Sequence, residues 1–199
     1  MPETAAILLA AGESRRMGEL KALLQWQGQS LLSHQLAALS GGGVDRVIVV
    51  LGHRYEELLP EIEGKPGVEW TLNPHYLQGK TTSIKAGLAA LGDRLPGTLL
   101  LLNVDQPRSA ETVGYLLRQH RASGPLITIP AFAGKGGHPV VFDAALITEL
   151  GAINEATQGI REVVRRHQEG ILRVEMDTGE VLWDLNTPEQ YRAALGESG

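Results

Sequence analysis

Several features that define common protein classes are missing from this sequence. It contains no cysteine, which excludes disulfide bonds, thiolate nucleophiles and cysteine-ligated zinc. No apolar stretch approaches the roughly 20 residues that a membrane-spanning helix needs. The N-terminal apolar run also lacks the basic segment that precedes the core of a signal peptide. We therefore expect a cytoplasmic protein with no membrane partner.

Basic residues are scarce relative to acidic ones. The chain has 18 Lys and Arg against 23 Asp and Glu, a formal net charge of -5. Nucleic-acid-binding surfaces are usually broad and basic, so we expect no nucleic-acid partner. The 199 residues, of which 43% are hydrophobic, are enough for one well-formed core. They predict a single domain that spans residues 1–199.

Apolar runs alternate with amphipathic segments along the chain. This alternation predicts an α/β fold, a doubly wound and mainly parallel sheet with helices on both faces. The expected strands are 5–9, 46–51, 68–73, 98–103, 126–130 and 140–142, followed by a hairpin of 171–176 and 180–184. The expected helices are 30–39, 55–61, 82–91, 110–121, 144–151, 160–168 and 188–195. Thr187, Pro188 and Gln190 have the spacing of a capped helix start.

The loop after the first expected strand combines glycine with basic residues. It reads LAAGESRRMGELK over residues 9–21 and contains neither the Walker A ending nor GxGxxG. Gly12 lets the backbone approach an anion closely, and Arg16 and Lys21 supply charge to a polyphosphate. An ordinary surface loop with solvated basic side chains is the alternative. Ligands of such sheets collect beyond the carboxyl ends of the strands, where this loop lies.

A carboxylate follows the most apolar run of the chain. Four leucines at 99–102 lead into Asn-Val-Asp-Gln-Pro, which places Asp105 at the carboxyl end of a buried strand. A carboxylate there is unfavourable unless it is paired or metal-bound, so we expect Asp105 to hold a divalent ion. The alternative is that Asp105 caps the helix beginning near Ser109. Asp184 and Asn186 lie on one side of an extended segment, and either is a candidate second ligand.

Two further segments have the character of ligand-binding loops. Gly79 and Ser83 belong to a segment that opens a helix, where a sugar or base can rest against backbone and hydroxyl groups. A glycine-rich turn contains Gly137, His138 and Pro139 just before a strand. His138 is placed to hydrogen-bond a substrate, and a packed or solvent-facing histidine is the alternative.

Together these segments resemble the MobA-like nucleotidyltransferases. Residues 9–21 are similar to the signature loop of that family, and the segments 105–107, 137–139 and 184–189 follow in the family's order. Within the family the chain is most similar to the molybdenum cofactor cytidylyltransferases. Those enzymes join CMP from CTP to the phosphate of molybdopterin and release pyrophosphate. Ala11 stands where guanylyl-transferring relatives carry glycine, which favours the cytidylyl form.

The resemblance implies a Rossmann-like nucleotidyltransferase fold and a role for each matching residue. Arg16, Lys21 and Asp105 would be catalytic, and Asp105 with Asn186 would bind Mg²⁺. The implied nucleotide-binding residues are Leu9, Ala10, Ala11, Gly12, Arg16, Lys21, Gly79, Ser83 and Asp105. The implied acceptor-binding residues are Gly137, His138 and Pro139. The implied partners are CTP, the molybdopterin or molybdenum cofactor, and a molybdoenzyme or its maturation chaperone.

Three other functions stay open. The first is nucleotidyl transfer to a sugar phosphate or another small phosphorylated acceptor. The second is a nucleotide-binding regulator without catalysis, against which the complete set of Arg16, Lys21 and Asp105 counts. The third is a nicotinamide-dependent oxidoreductase, against which the missing GxGxxG counts.

Overall fold

The elements follow one another in the order that an α/β fold requires. The computed structural model describes residues 2–14 and 17–197. Its strands are β1 (Thr4–Ala10), β2 (Gln25–Trp26), β3 (Gln29–Ser30), β4 (Arg46–Leu51), β5 (Val68–Leu72), β6 (Thr98–Asn103), β7 (Ile127–Phe132), β8 (Lys135–Gly136), β9 (Val140–Asp143) and β10 (Ile171–Glu175). Its α-helices are α1 (Leu31–Gly41), α2 (Lys80–Ala90), α3 (Ala110–Ser123), α4 (Ile147–Ala152), α5 (Ile160–Arg166) and α6 (Pro188–Glu197). Short 3-10 turns cover Lys21–Leu23, Tyr55–Glu57, Leu59–Glu61, Tyr76–Gln78, Ala144–Leu146, Glu155–Thr157, Gln168–Gly170 and Gly179–Leu182.

The main sheet is mostly parallel and reverses its strand order in the middle. The order is β10-β7-β9-β6-β1-β4-β5, with β8 paired to β7 outside this path. Strands β6, β1, β4 and β5 are parallel to one another, and β9 runs antiparallel between β6 and β7. The chain adds β4 and β5 on one side of β1 and then β6 on the other. This switch point between β1 and β6 is where ligands bind in doubly wound sheets.

Helices cover both faces of the sheet, as predicted. Leu8 of β1 and Leu100 of β6 pack in the cluster that α1 and α3 complete. Their neighbours Ile7 and Leu101 point the other way, into the cluster completed by α2, α4 and α5. Ile7 and Leu8 have no solvent exposure at all. Burial on both faces explains why these strands are unbroken apolar runs in the sequence.

The predicted helix over 55–61 is wrong, because the segment forms two separate 3-10 turns. Pro60 stands in the second turn and has no backbone N–H to donate. It therefore cannot continue an α-helix that begins at residue 55.

The predicted strand over 180–184 is also wrong. Gly179–Leu182 forms a 3-10 turn, so residues 171–176 have no hairpin partner in this segment. The carbonyl of Val181 accepts from the Arg108 guanidinium at 2.9 Å and from the backbone N–H of His138 at 2.9 Å. These two hydrogen bonds to loop residues replace the strand-to-strand hydrogen bonds that the predicted hairpin would have formed.

The C-terminal segment returns to the carboxyl edge of the sheet. The capping box of α6 forms as predicted, with mutual hydrogen bonds between Thr187 and Gln190. Helix α6 packs on the β2–β3 ribbon through an apolar cluster that includes Trp26 and Leu185. The Leu185 N–H donates to the Asp105 carbonyl at 2.8 Å, which joins the tail to the loop after β6. Within residues 2–14 and 17–197, no helix has both the length and the apolar character needed to cross a bilayer.

Candidate active site

A cavity of about 650 Å³ opens at the carboxyl ends of β1 and β6. Its walls come from the loop after β1, the segment leading into α2, the loop after β6 and the C-terminal tail. The predicted residues that line it are Leu9, Ala10, Ala11, Gly12, Lys21, Gly79, Ser83, Asp105 and Asn186. The predicted Arg16 lies outside the described residues, and its role stays a prediction.

Lys21 joins the two predicted metal ligands. Its Nζ lies 2.6 Å from Asp105 Oδ2 and 2.8 Å from Asn186 Oδ1. Asp105 is 84 residues and Asn186 165 residues away from Lys21 along the chain. The Lys21 and Asp105 side chains are only 12% and 18% exposed, so the pair is largely screened from solvent. Two oxygens therefore converge on one cationic position.

The alternative role of Asp105 as a helix cap is wrong. The N-cap of α3 is Ser109, whose Oγ accepts from the Thr112 N–H at 3.1 Å. The Asp105 carboxylate instead forms an ion pair with Lys21.

A buried glutamine braces the loop that carries Asp105. Gln35 of α1 has no solvent exposure, and its Nε2 donates to the carbonyls of Gln106 at 2.6 Å and Asn103 at 3.2 Å. Its Oε1 accepts from the Arg108 N–H at 3.2 Å. Three backbone groups of the loop are thus satisfied by one side chain from α1. Sequence reasoning did not find this residue, since a glutamine within a helix carries no signal of such a role.

Arg108 braces the same loop from its other side. The residue is 1% exposed, and its guanidinium donates to the carbonyls of Pro107, His138, Val181 and Trp183 at 2.6–3.2 Å. Burial lowers the pKa of Arg108 to about 9. The side chain ties the loop after β6 to the glycine-rich turn before β9 and to the tail that holds Asn186. Sequence reasoning missed it as well.

The backbone around Gly12 leaves open space. No atom of the described residues lies within 4 Å of the position that a Cβ at Gly12 would take, and its φ is not positive. Neither packing against those residues nor backbone geometry requires glycine here. Ala11 is 5% exposed, and its methyl lies against Gly52. The Lys21 N–H donates to Ser14 Oγ at 3.0 Å and closes this loop.

The start of α2 is built differently. Gly79 has φ +118°, and a Cβ there would overlap the Glu155 carboxylate. Glu155 Oε1 accepts from the Thr81 N–H at 2.7 Å, which satisfies one free N–H of the first turn. Ser83 Oγ accepts from Asn73 Nδ2 at 2.9 Å. Gly79 is therefore required by the fold itself, and Ser83 is held in place from behind.

Lys80 is a cavity residue that the sequence did not reveal. It is the first residue of α2 and lines the same cavity as Asp105 and Asp184. Desolvation lowers the pKa of the Lys80 ammonium, and the attraction of Asp105 and Asp184 opposes that effect. Its position directly after the predicted Gly79 is the one signal that points to it in the sequence.

The predicted acceptor residues contact protein groups. A Cβ at Gly137 would overlap the carbonyl of Val181, so packing requires this glycine. His138 Nδ1 accepts from Gln106 Nε2 at 3.2 Å. Burial, followed by the charges of Lys80 and Arg108, lowers the pKa of His138 to about 4, and the ring is neutral. Neither these two residues nor Pro139 is among the described residues that line the cavity, and their role toward an acceptor stays a prediction.

The oxygen ligands at Lys21 fit a hard divalent cation. Asp105 and Asn186 direct a carboxylate and an amide oxygen at one point, where a cation already sits in the form of the Lys21 ammonium. No group of three or more His, Cys, Asp or Glu in the described part of the chain is arranged to hold a metal. A metal at this point would draw its other ligands from water and phosphate, which is the usual pattern for Mg²⁺.

The switch-point cavity and its charged residues are those of a nucleotide-binding α/β protein. Residues 6–171 match the MobA-like NTP transferase domain, and the chain belongs to this family of nucleotidyltransferases. It is 29% identical over 202 residues to the nicotine blue oxidoreductase of Paenarthrobacter nicotinovorans, covering 96% of this chain and 97% of that protein. It is 27% identical over 190 residues to the molybdenum cofactor cytidylyltransferase of Escherichia coli strain K12, covering 94% and 93%.

A solved structure supports the same fold. A nucleotidyl transferase from Methanothermobacter thermautotroptrophicus superposes with a TM-score of 0.80 at 22% identity, with 99% of both chains covered. The predicted Rossmann-like nucleotidyltransferase fold is confirmed.

Proposed function

We propose that this protein transfers CMP from CTP to the phosphate of the molybdopterin or molybdenum cofactor and releases pyrophosphate, in a reaction that requires Mg²⁺. The observation that carries the proposal is the contact of Lys21 with Asp105 and Asn186 inside the switch-point cavity. The 27% identity to a molybdenum cofactor cytidylyltransferase supports the choice of substrates. The single domain over residues 1–199, the cytoplasmic location and a molybdoenzyme or its chaperone as recipient stay predictions.

Nucleotidyl transfer depends more on neutralising the charges of the phosphate groups than on proton transfer. A phosphate oxygen of the acceptor attacks the α-phosphorus of the nucleotide, and the bond from that phosphorus to the bridging oxygen breaks. Pyrophosphate leaves with the electron pair. Because a phosphate monoester is already anionic near neutral pH, no general base is required. The obstacles are alignment of the two anions and the charge on the leaving group.

The residues of the cavity suit these two tasks. The Lys21 ammonium would turn from Asp105 to the triphosphate, with Arg16 as a second cation and the backbone after Gly12 as N–H donors. Asp105 and Asn186 would then hold Mg²⁺ through the oxygens that Lys21 releases. Bound Mg²⁺ supplies charge neutralisation at the phosphate oxygens.

The reaction is tested by pyrophosphate release from each of the four nucleoside triphosphates, with Mg²⁺ and with or without molybdopterin cofactor. We expect release from CTP in the presence of the cofactor. Base choice through one steric difference such as Ala11 is worth about 1–3 kcal/mol, so GTP should compete weakly. Equal or better use of GTP would overturn the cytidylyl assignment but leave nucleotidyl transfer. Turnover with sugar phosphates alone would identify the alternative acceptor class.

The role of Asp105 is tested by Asp105→Asn. The variant keeps the size of the side chain but loses the charge that pairs with Lys21 and would hold the metal. We expect turnover to fall about a hundred- to a thousandfold, the usual effect of removing one electrostatic group from an active site. Asp93→Asn, an exposed aspartate outside the cavity, is the matched control. Near-normal Mg²⁺-dependent turnover of Asp105→Asn would contradict the assignment.

The relative named nicotine blue oxidoreductase favours a second candidate, an oxidoreductase, which the sequence analysis left open in a nicotinamide-dependent form. The loop after β1 lacks the GxGxxG pattern that places a dinucleotide pyrophosphate in Rossmann folds. Oxidation of NADH or NADPH in the presence of reducible dyes separates the two functions. We expect no oxidation, and turnover in this assay would replace nucleotidyl transfer as the proposed activity.

A further inference from the structure

A side chain takes the place of the next hydrogen-bonded pair between β6 and β9. The paired positions end with Leu101 opposite Val140. The same register, continued, would place Asn103 opposite His138, but the His138 N–H donates to a loop carbonyl instead. The Asn103 N–H donates to Gln106 Oε1 at 3.3 Å, and the Asn103 side-chain amide donates to the same oxygen at 2.8 Å. Gln106 therefore bridges the gap that opens where the ladder ends.

The main chain determines which way round the Gln106 amide lies. A backbone N–H can only donate, so the Gln106 atom that meets the Asn103 N–H is the amide oxygen. Gln106 is 3% exposed, and a reversed amide would set two donors against each other in a buried place. The amide nitrogen then lies toward His138, 3.2 Å from Nδ1. Because this nitrogen can only donate, His138 Nδ1 must accept, and the proton of the neutral ring lies on Nε2.

The backbone of His138 is held as well, which leaves Nε2 as its one open polar atom among the described residues. The His138 N–H donates to the Val181 carbonyl at 2.9 Å, and the His138 carbonyl accepts from Arg108 Nε at 2.7 Å. No group in the described part of the chain forms a hydrogen bond with His138 Nε2, and this nitrogen is not among the buried atoms there that lack a partner. It is therefore open to solvent on a half-buried residue. An N–H of fixed position that these residues do not use is available to a ligand.

We infer that Gln106 is a positioning residue that holds His138 in its neutral Nε2–H form, and that this N–H donates to a lone pair of the acceptor substrate. The second half of the inference rests on the proposed function, and the first half does not. Gln106 directly follows Asp105, so one side chain joins the His138 ring to the loop that carries Asp105. The ligand atom that meets Nε2 would be a carbonyl oxygen, a phosphate oxygen or a ring nitrogen without hydrogen. An amino group there would be rejected, because two donors would face each other.

The protonation of each ring nitrogen is measured by long-range ¹H–¹⁵N correlation spectra of the ¹⁵N-labelled protein, since bare and protonated imidazole nitrogens resonate far apart. His138→Gln identifies the His138 signals among those of the six histidines. Gln106→Glu keeps an acceptor for the Asn103 N–H and replaces the donor toward Nδ1 by a carboxylate oxygen, and Gln106→Met offers neither group. Gln78→Glu is the matched control, because Gln78 Nε2 lies 3.5 Å from His75 Nδ1 in an exposed pair of the same kind.

We expect wild-type His138 to show a bare Nδ1 and a protonated Nε2. In Gln106→Glu the Nδ1 signal should shift to the protonated range, because a carboxylate can only accept. Gln106→Met should give the averaged signals of exchanging tautomers, and Gln78→Glu should leave the His138 signals as in the wild type. A protonated Nδ1 or averaged signals in the wild type would overturn the inference, and this spectrum decides even if a variant does not fold. Unchanged His138 signals in both Gln106 variants would overturn it as well.

The contact with the acceptor is tested by kinetics with CTP, Mg²⁺ and molybdopterin cofactor. His138→Phe keeps a ring and removes the donor, so kcat/KM for the cofactor should fall about ten- to a hundredfold while KM for CTP stays unchanged. A thermal unfolding scan establishes that the variant is folded. Unchanged kcat/KM for the cofactor would overturn the contact. No turnover by the wild-type protein would end the proposed function and the contact with it, whereas the ring signals would still decide the role of Gln106.

Discussion

The glycines of the site differ in what requires them. Gly79 has a positive φ, and a side chain there would overlap Glu155. Gly137 has no room for a side chain against Val181. At Gly12 neither φ nor the packing of the described residues excludes a methyl group. Glycine at this position is consistent with our proposal that the nucleotide approaches the backbone of this loop closely.

This difference predicts the behaviour of Gly12→Ala. The free protein should unfold within about 0.5 kcal/mol of the wild type, as expected for a substitution that meets open space. Nucleotide binding should weaken by about 1–3 kcal/mol, because the methyl takes up space at the phosphates. Calorimetric titration with CTP and chemical denaturation measure the two quantities. Gly151→Ala in α4, where a Cβ also meets no described atom, is the control. Lower stability with unchanged CTP affinity would contradict the argument.

The buried His138 makes the stability of the folded protein depend on pH. Its pKa is lowered from 6.5 to about 4 in the folded protein, so the unfolded chain binds more protons between these two values. Stability should therefore fall as the pH is lowered through this range, by up to about 1.4 kcal/mol per unit for one histidine. Burial also lowers the pKa values of His34 and His120, which act in the same direction.

The contribution of His138 is measured by urea unfolding of wild type and His138→Gln at pH 7 and pH 5. The variant cannot titrate at this position and should lose less stability between the two values. Equal losses in the two proteins would mean that other groups account for the pH dependence.

At the scale of an element, the loop after β6 depends on two buried donors, Gln35 from α1 and Arg108 of the loop itself. Gln35 and Arg108 satisfy its backbone and that of two neighbouring loops. Neither residue belongs to a pattern that a sequence reveals, because apart from Pro107 their partners are backbone atoms 30 to 75 residues away along the chain. For the same reason the sequence did not predict that the Val181 carbonyl accepts hydrogen bonds from Arg108 and His138 and that its segment therefore forms no strand.

Arg108→Met should destabilise the protein, since it leaves carbonyls of three loops without donors. Each unsatisfied buried group is worth about 1–3 kcal/mol, partly offset because a buried charge is also removed. Arg108→Lys should recover little, because one ammonium cannot reach all four carbonyls. Chemical denaturation measures stability, and pyrophosphate release reports whether Asp105 has moved. Full stability of Arg108→Met would show that the loops hold their places without this side chain.

The sequence predicted the structure correctly where residues within one segment determine its conformation. The doubly buried strands are continuous apolar runs, and the capping box at Thr187 and Gln190 forms as its spacing predicts. Over 55–61 the amphipathic pattern was outweighed by Pro60, which ends any helix begun at residue 55.

At the scale of the whole molecule, the site is assembled by topology. Lys21, Asp105 and Asn186 follow different elements and meet because β1 and β6 are neighbours and the tail returns to their carboxyl ends. The sequence predicted these three residues, since each follows an apolar run or lies in a recognisable segment. It did not predict that Lys21 would contact both of the others, because no local pattern reports the direction of a long side chain. Lys80 was missed for the same reason.

The contact of Lys21 with Asp105 and Asn186 also means that the chain carries its own counter-ion. Lys21 Nζ contacts both oxygens, so folding does not have to bury a bare carboxylate. Under the proposed function, Mg²⁺ binding at Asp105 and Asn186 would exchange one cation for another, so these oxygens would keep a positive partner throughout. The site would then be organised before the substrates arrive, and the Lys21 ammonium released from Asp105 would be available to the incoming anion.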